Sequence, residues 1–205
     1  MYKRIGKLDP DLADQIAAGE VVERPASIVK EVVENSLDAS SKNIDICVSG
    51  GGLKSIYVSD DGSGIHEADL TLAIQRHATS KISKSEDLLS ISTLGFRGEA
   101  LASIASVSRF KLLSRSGQSE SGWMISTAGD FKFSKEPIAH NRGTTVHADE
   151  LFFNVPARRK FLKSERAENR QIETVVKKIS LANMSVAFSY AQSGSSKNER
   201  GLRKL

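Results

Sequence analysis

The chain has 205 residues, a formal net charge of +4, 39% hydrophobic residues and 26% charged residues. This suits one soluble domain, or one and part of a second, and makes disorder other than the default. The mild basicity (pI ≈ 9.2) admits nucleic acid or a phosphate ligand and decides neither, while the single cysteine, Cys47, excludes an internal disulfide and a cysteine-built zinc site.

The first ten residues lack the apolar segment of a secretory signal, and no run approaches the roughly 18 apolar residues of a membrane span. A cytoplasmic protein with no membrane partner is expected. Residues 1–22 read as a polar arm ending in Ile16–Val22, a run too small and interrupted for a core helix. Ser27–Ala39 reads as a helix, with Pro25 in the first turn and Ser27 as a cap. Ile28, Val29, Val32, Val33 and Leu37 form its apolar arc. Glu31, Asn35 and Asp38 form a polar stripe beside it. A carboxylate one turn before a carboxamide can take a proton from water and offer a neutral oxygen to a hard cation. The same stripe also suits a solvated helix face.

Asn43–Ser49 and Leu53–Ser59 alternate apolar and polar residues around Gly50–Gly52, which predicts a β-hairpin. The hairpin leads into Asp60-Asp-Gly-Ser-Gly64, a tight turn where backbone can approach a ligand, or an ordinary acidic turn. A short helix is expected around Glu67–Gln75. After the hydroxyl-rich, basic Arg76–Ile82, a glycine loop at Gly95–Gly98 feeds an apolar helix. Free N–H groups there suit a phosphate, or the loop is plain; no Walker A signature follows. Strands are expected at Arg109–Ser114, Trp123–Thr127, Asp130–Ser134 and Thr144–Ala148. Leu151–Asn154 is a short apolar element, and Ala157–Lys163 is a basic run. A long amphipathic helix over Glu165–Asn183 and a strand over Val186–Tyr190 precede a polar, basic stretch, 192–205, read as a linker or the start of a further domain. His66, His77, His140 and His147 show no metal-ligand spacing.

Four pieces thus follow in order: the Glu31/Asn35 helix, Asp60–Gly64, Gly95-Phe-Arg-Gly-Glu-Ala-Leu101 and Gly143-Thr-Thr145. This order resembles the GHKL ATPases, which include the ATPase component of DNA gyrase, a heat-shock chaperone class and sensor histidine kinases. Gln15–Pro25, Glu34–Ala39, Arg76–Lys81 and Gly95–Leu101 are similar to the MutL family of DNA mismatch repair proteins, over roughly residues 8–190. The Gly95–Leu101 motif argues against a topoisomerase component or a histidine kinase.

The resemblance implies an α+β fold: a two-layer α/β sandwich, mostly antiparallel, with helices on one face. It implies an N-terminal arm (1–22), an ATPase domain (23–191) and a linker or second-domain start (192–205). ATP and Mg²⁺ are the implied cofactors. Glu31 resembles the general base, Asn35 the magnesium ligand and Asp60 the adenine reader. Gly62 and Gly64 flank the base, and Thr145 supports adenine. Thr79, Ser80 and Lys81 lie in a lid, and Leu94, Gly95, Phe96, Arg97 and Gly98 wrap the phosphates. Asp61 stands where the family commonly has asparagine. The family's site is completed by a lysine from a second domain, so weak or absent turnover is expected of these residues alone.

The implied partners are a second copy, joined through the N-terminal domains on ATP binding, a mismatch sensor, a downstream nuclease and helicase, and non-specific DNA. The alternative is a DNA-binding scaffold with structural nucleotide, using Arg158, Arg159, Lys160 and Lys163.

Overall fold

Ile44, Ile46 and Val48 alternate with Asp45 and Cys47 along β1 (Asn43–Ser49), and burial alternates with them. A computed structural model of the chain describes residues 6–7, 10–82, 84, 86–87, 93–95, 97–129, 132–193 and 200–204. In it β1 pairs antiparallel with β2 (Ser55–Asp60), placing Ile46 opposite Val58 and Val48 opposite Ile56, with Gly50–Gly52 as a 3₁₀ turn between them.

The same period-two pattern builds β3 (Arg109–Arg115), β4 (Gly122–Thr127), β6 (Gly143–Asp149) and β7 (Ala187–Ser193). With β5 (Ser134–Ile138) and β8 (Arg200–Lys204) they form one sheet, ordered β5-β4-β3-β6-β2-β1-β7-β8. Among the described residues, only β1 and β7 run parallel. The strand expected at Asp130–Ser134 begins instead at Ser134; residues 130–131 lie outside the described residues. Its mostly exposed side chains and Pro137 suit an edge, where a missing N–H interrupts no ladder. The stretch read as a linker carries the end of β7 and all of β8, while 194–199 lie outside the described residues.

One face of the sheet presents Ile44, Ile46, Ile56, Val58, Phe110, Leu112, Ile125, Val146 and Ala148, all buried. Helices cover that face, giving two layers. α2 (Pro25–Asp38) buries Ile28, Val29, Val32 and Val33, each contributing about 1.5–3 kcal/mol by burial. Pro25 opens the helix as expected, but Arg24 is its cap residue and Ser27 lies inside the first turn. α6 (Glu165–Ala182) packs against α2 through Ile172 and Val176, and the Ser164 hydroxyl accepts from Ala167 N at its start.

α1 (Pro10–Val21) is a helix where the sequence predicted none, and it packs on α4 (Ala100–Ser106). Gly19 explains how so small a run docks. A Cβ there would lie 1.9 Å from the Arg158 guanidinium, which donates to Ile16 O at 2.9 Å. Gly19 thus lets the Arg158 side chain reach the α1 backbone, while Ala18 beside it is buried in the core. α3 (Leu70–Ala73) is one turn, shorter than expected, and α5 (Pro156–Phe161) starts on its proline.

Candidate functional site

The polar stripe of α2 faces two loops. Lys30 Nζ lies 3.2 Å from Glu31 Oε1 and 2.8 Å from Glu34 Oε2. Burial works to lower the Lys30 pKa, but Glu34 and Glu31 outweigh it and raise it, so the ammonium beside Glu31 stays charged. One turn on, Asn35 Oδ1 accepts from Lys81 Nζ at 2.8 Å, and the same ammonium donates to Asp38 Oδ2 at 2.5 Å. Asp38 also accepts from Leu94 N (2.9 Å) and Gly95 N (3.1 Å). Burial alone would raise the Asp38 pKa; the Lys81 hydrogen bond, then the two backbone N–H groups, reverse that and lower it.

Asp60 ends β2 on the helix side of the sheet. Its Oδ2 accepts from the buried Ser36 hydroxyl of α2 (2.8 Å), and its Oδ1 accepts from Gly62 N (2.9 Å) and Thr144 N (3.3 Å). A carboxylate offers about four acceptor sites, so these three donors leave one for an incoming N–H. Gly143 lets the strands close here. At φ 122 it is barred to most side chains, and a Cβ would lie 2.0 Å from Asp60 O. Gly64 is similarly tight, a Cβ meeting Arg115 O at 2.1 Å.

Thr145 does not join Asp60. It pairs with Ser59, whose hydroxyl it meets at 2.8 Å, and it bonds His140 Nε2 at 2.9 Å. Adjacent strand residues point to opposite faces, so Thr144 is the threonine on the Asp60 side, bonded to Ser114 Oγ at 2.9 Å. The sequence carried the signal. Val146 and Ala148 are core residues of β6, and counting back by two from them reaches Thr144.

Asp61 turns away from the site. Its carboxylate accepts from Lys42 N (2.7 Å), Asn43 N (2.9 Å) and Asn43 Nδ2 (2.6 Å), clamping the entry to β1. Burial raises its pKa, but the Asn43 side chain and the Asn43 and Lys42 amides outweigh this and lower it. Its stabilisation is therefore complete above the ordinary value of 3.8 and is lost as pH falls through the lower folded value. Asp61→Asn is expected to flatten the acid limb of stability against pH while leaving ligand affinity unchanged, as read by chemical denaturation and equilibrium binding.

In the lid region Thr79 Oγ1 accepts from Lys81 N at 3.1 Å, and Thr79 and Ser80 are exposed. In the glycine loop Leu94 and Arg97 are exposed, Thr93 Oγ1 donates to Gly95 O (2.8 Å), and Gly98 sits so close to Ala78 that a Cβ would meet Ala78 O at 2.5 Å. The loop and the Arg76–Lys81 segment thus touch. Phe96 lies outside the described residues. Of the basic run, Arg158 is committed to Ile16 O, while Arg159, Lys160 and Lys163 are exposed.

One helix therefore brings together a carboxylate (Glu31), a carboxamide oxygen already facing positive charge (Asn35) and, through Ser36, the carboxylate of Asp60. Among the described residues no group of three or more His, Cys, Asp or Glu side chains could hold a metal. A hard cation here would rest on Asn35, water and its own ligand's oxygens. Among the described residues no helix is long and apolar enough to cross a membrane.

A family model described as histidine kinase-, DNA gyrase B-, and HSP90-like ATPase matches residues 23–147. The DNA mismatch repair protein MutL of Cellvibrio japonicus is 51% identical over 193 residues, covering 94% of this chain and 31% of that protein. The MutL of Pseudomonas fluorescens is 53% identical over 192 residues, covering 93% and 30%. This chain thus spans about a third of the length of these relatives. Among solved structures, the Aquifex aeolicus MutL ATPase domain complexed with ADP superposes with a TM-score of 0.71 at 33% identity, over 88% of this chain and 65% of that one. The N-terminal domain of a DNA repair protein superposes with a TM-score of 0.78 at 29% identity, over 93% and 54%.

Proposed function

This chain belongs to the histidine kinase-, DNA gyrase B-, and HSP90-like ATPases, and from that premise we propose that residues 23–191 are the ATP-binding, slowly ATP-hydrolysing domain of a MutL protein of mismatch repair. The observation that carries the reading is α2: one face holds Glu31 and Asn35 a turn apart, and Ser36 joins the same helix to Asp60. A phosphoryl-transfer site needs little besides position and charge, and this helix supplies both.

Glu31 takes the proton of the attacking water and orients it. Asp60 accepts from the exocyclic amine of adenine at its remaining acceptor site, which disfavours guanine, whose ring carries an oxygen there. Thr144, by its position, takes the role given to Thr145. Asn35 Oδ1 would hold Mg²⁺, which neutralises phosphate charge when bound. The backbone of Leu94–Gly98, with Thr79, Ser80 and Lys81, serves the phosphates. Asn35→Ala is expected to abolish Mg²⁺-dependent binding of a non-hydrolysable ATP analogue, measured by calorimetry. Unchanged affinity with Mg²⁺ present would remove Asn35 from the metal.

In this reading the protein is cytoplasmic, and ATP joins two copies through the N-terminal arm (1–22). Hydrolysis then signals between a mismatch sensor and the downstream nuclease and helicase. Turnover by residues 1–205 alone is slow, because the family resemblance places a further lysine in a second domain. A DNA scaffold with structural nucleotide is the weaker reading: Arg158, one of its four cations, is spent on α1. Phosphate release on ATP, with the Glu31 variant as control, separates the two.

A further inference from the structure

Two contacts in the site carry the wrong partners for its proposed ligand. The oxygen suited to a divalent cation, Asn35 Oδ1, accepts from an ammonium at 2.8 Å. The amides suited to phosphate, Leu94 N and Gly95 N, donate to a carboxylate at 2.9 and 3.1 Å. Lys81 and Asp38 supply both charges, and they pair with each other at 2.5 Å.

We propose that Asp38 is an internal competitor for the triphosphate and Lys81 for the metal, so that this pair sets how tightly the site takes Mg-ATP. The inference rests on the function proposed above and adds what limits its affinity. The two occupancies exclude each other. A magnesium ion sits about 2.1 Å from its oxygen ligand, and an ammonium on the same Oδ1 would lie against it as a like charge. A phosphate and the Asp38 carboxylate likewise cannot share two N–H groups, and both are anions.

Shielding makes the competition count. The Asp38 side chain is 8% exposed and that of Lys81 20%, so water screens the pair less than a surface pair. Asp38 is held ionised by its donors. The loop backbone lies directly over the pair: a Cβ on Gly95 would lie 3.3 Å from Lys81 Nζ and 3.5 Å from Asn35 Oδ1. Ligand entry is then an exchange. The triphosphate takes the Leu94 and Gly95 amides and the Lys81 ammonium, and Asn35 is released to the metal. Asp38 would be a residue that weakens binding by its charge, the reverse of a scaffold.

The sign of one substitution decides. Asp38→Asn keeps the shape and one acceptor and removes the charge. Calorimetry is done with a non-hydrolysable ATP analogue plus Mg²⁺, and separately with adenosine. The expected result is analogue binding about tenfold tighter and adenosine binding unchanged, because adenosine has no phosphate to compete. Analogue binding that is unchanged or weaker, with adenosine unchanged, overturns the proposal. If both ligands weaken together, Asp38 is a scaffold and the proposal is again overturned. Asp38→Ser serves where Asp38→Asn does not fold. It too is expected to tighten analogue binding several-fold with adenosine unchanged, and unchanged or weaker analogue binding with adenosine unchanged sinks the idea. Failure of the underlying function would look different: the parent chain itself would bind neither adenosine nor the analogue.

Discussion

Glu31→Ala is expected to bind ATP as the parent does and to hydrolyse it at least a hundredfold more slowly, since a positioned general base contributes about 10²–10⁴ in rate. Binding survives because nothing in the site is built on Glu31. Its carboxylate meets the Lys30 ammonium at 3.2 Å, and Lys30 keeps Glu34 at 2.8 Å when Glu31 is gone. The helix survives because Glu31 lies outside the buried set of Ile28, Val29, Val32 and Val33. Alanine is also the best helix former, so local structure is not penalised. The check is single-turnover phosphate release in the whole protein, beside equilibrium binding of the analogue. Equal turnover would take the base away from Glu31. Lost binding with retained folding would make Glu31 part of the ligand's seat. Glu31→Gln adds a control, keeping length and hydrogen bonding while removing the proton acceptor, and should match the alanine variant in rate.

Glu31 and Asn35 were legible as neighbours because both lie on one helix, where spacing alone settles which side chains share a face. Asp60 was legible as a turn residue, but its tie to Ser36 was not. That bond joins positions 24 apart in sequence, and no local pattern announces it. Thr145 shows how a strand misleads. A one-residue error moves a side chain through the sheet, and the paired threonines of Gly143-Thr-Thr145 look alike until Val146 and Ala148 fix the parity. Asp38 was visible as a member of the stripe, but its partners Leu94 and Gly95 come from a loop 56 and 57 residues on. Arg158 looked like a free cation in a basic run and is instead the seat of α1, which only the close approach at Gly19 reveals. Six of the eight strands were read, because alternation such as that over Ile44–Val48 and Phe110–Leu112 is a local signal that burial then enforces, while β8 lay in the stretch read as a linker. β5 slipped because an exposed edge strand has no buried face to mark its register.

The largest stability effect is expected where the site helix begins. Glu168 of α6 is fully buried. Its Oε1 accepts from Arg24 Nη2 at 3.3 Å and from Lys163 N at 3.0 Å. Arg24 is the cap residue of α2, so this ion pair ties the start of α2 to the long helix behind it. Arg24→Ala leaves a buried carboxylate without its cation, which costs about 3–5 kcal/mol. For a chain of this size each kcal/mol moves the midpoint by about 2–4 °C, so a fall of roughly 10 °C is expected in calorimetry. The pair itself need not be strongly stabilising, since removing both charges from water is costly. Arg24→Ala with Glu168→Leu should therefore recover most of the loss, whereas Glu168 retained alone should not. A double variant as unstable as Arg24→Ala would mean that the arginine acts through its packing and its position at the helix start. Arg24→Ala within about 0.5 kcal/mol of the parent, the error of such comparisons, would mean that Lys163 N alone suffices to hold Glu168. In either case the ion pair would not be what sets the angle at which α2 presents Glu31 and Asn35.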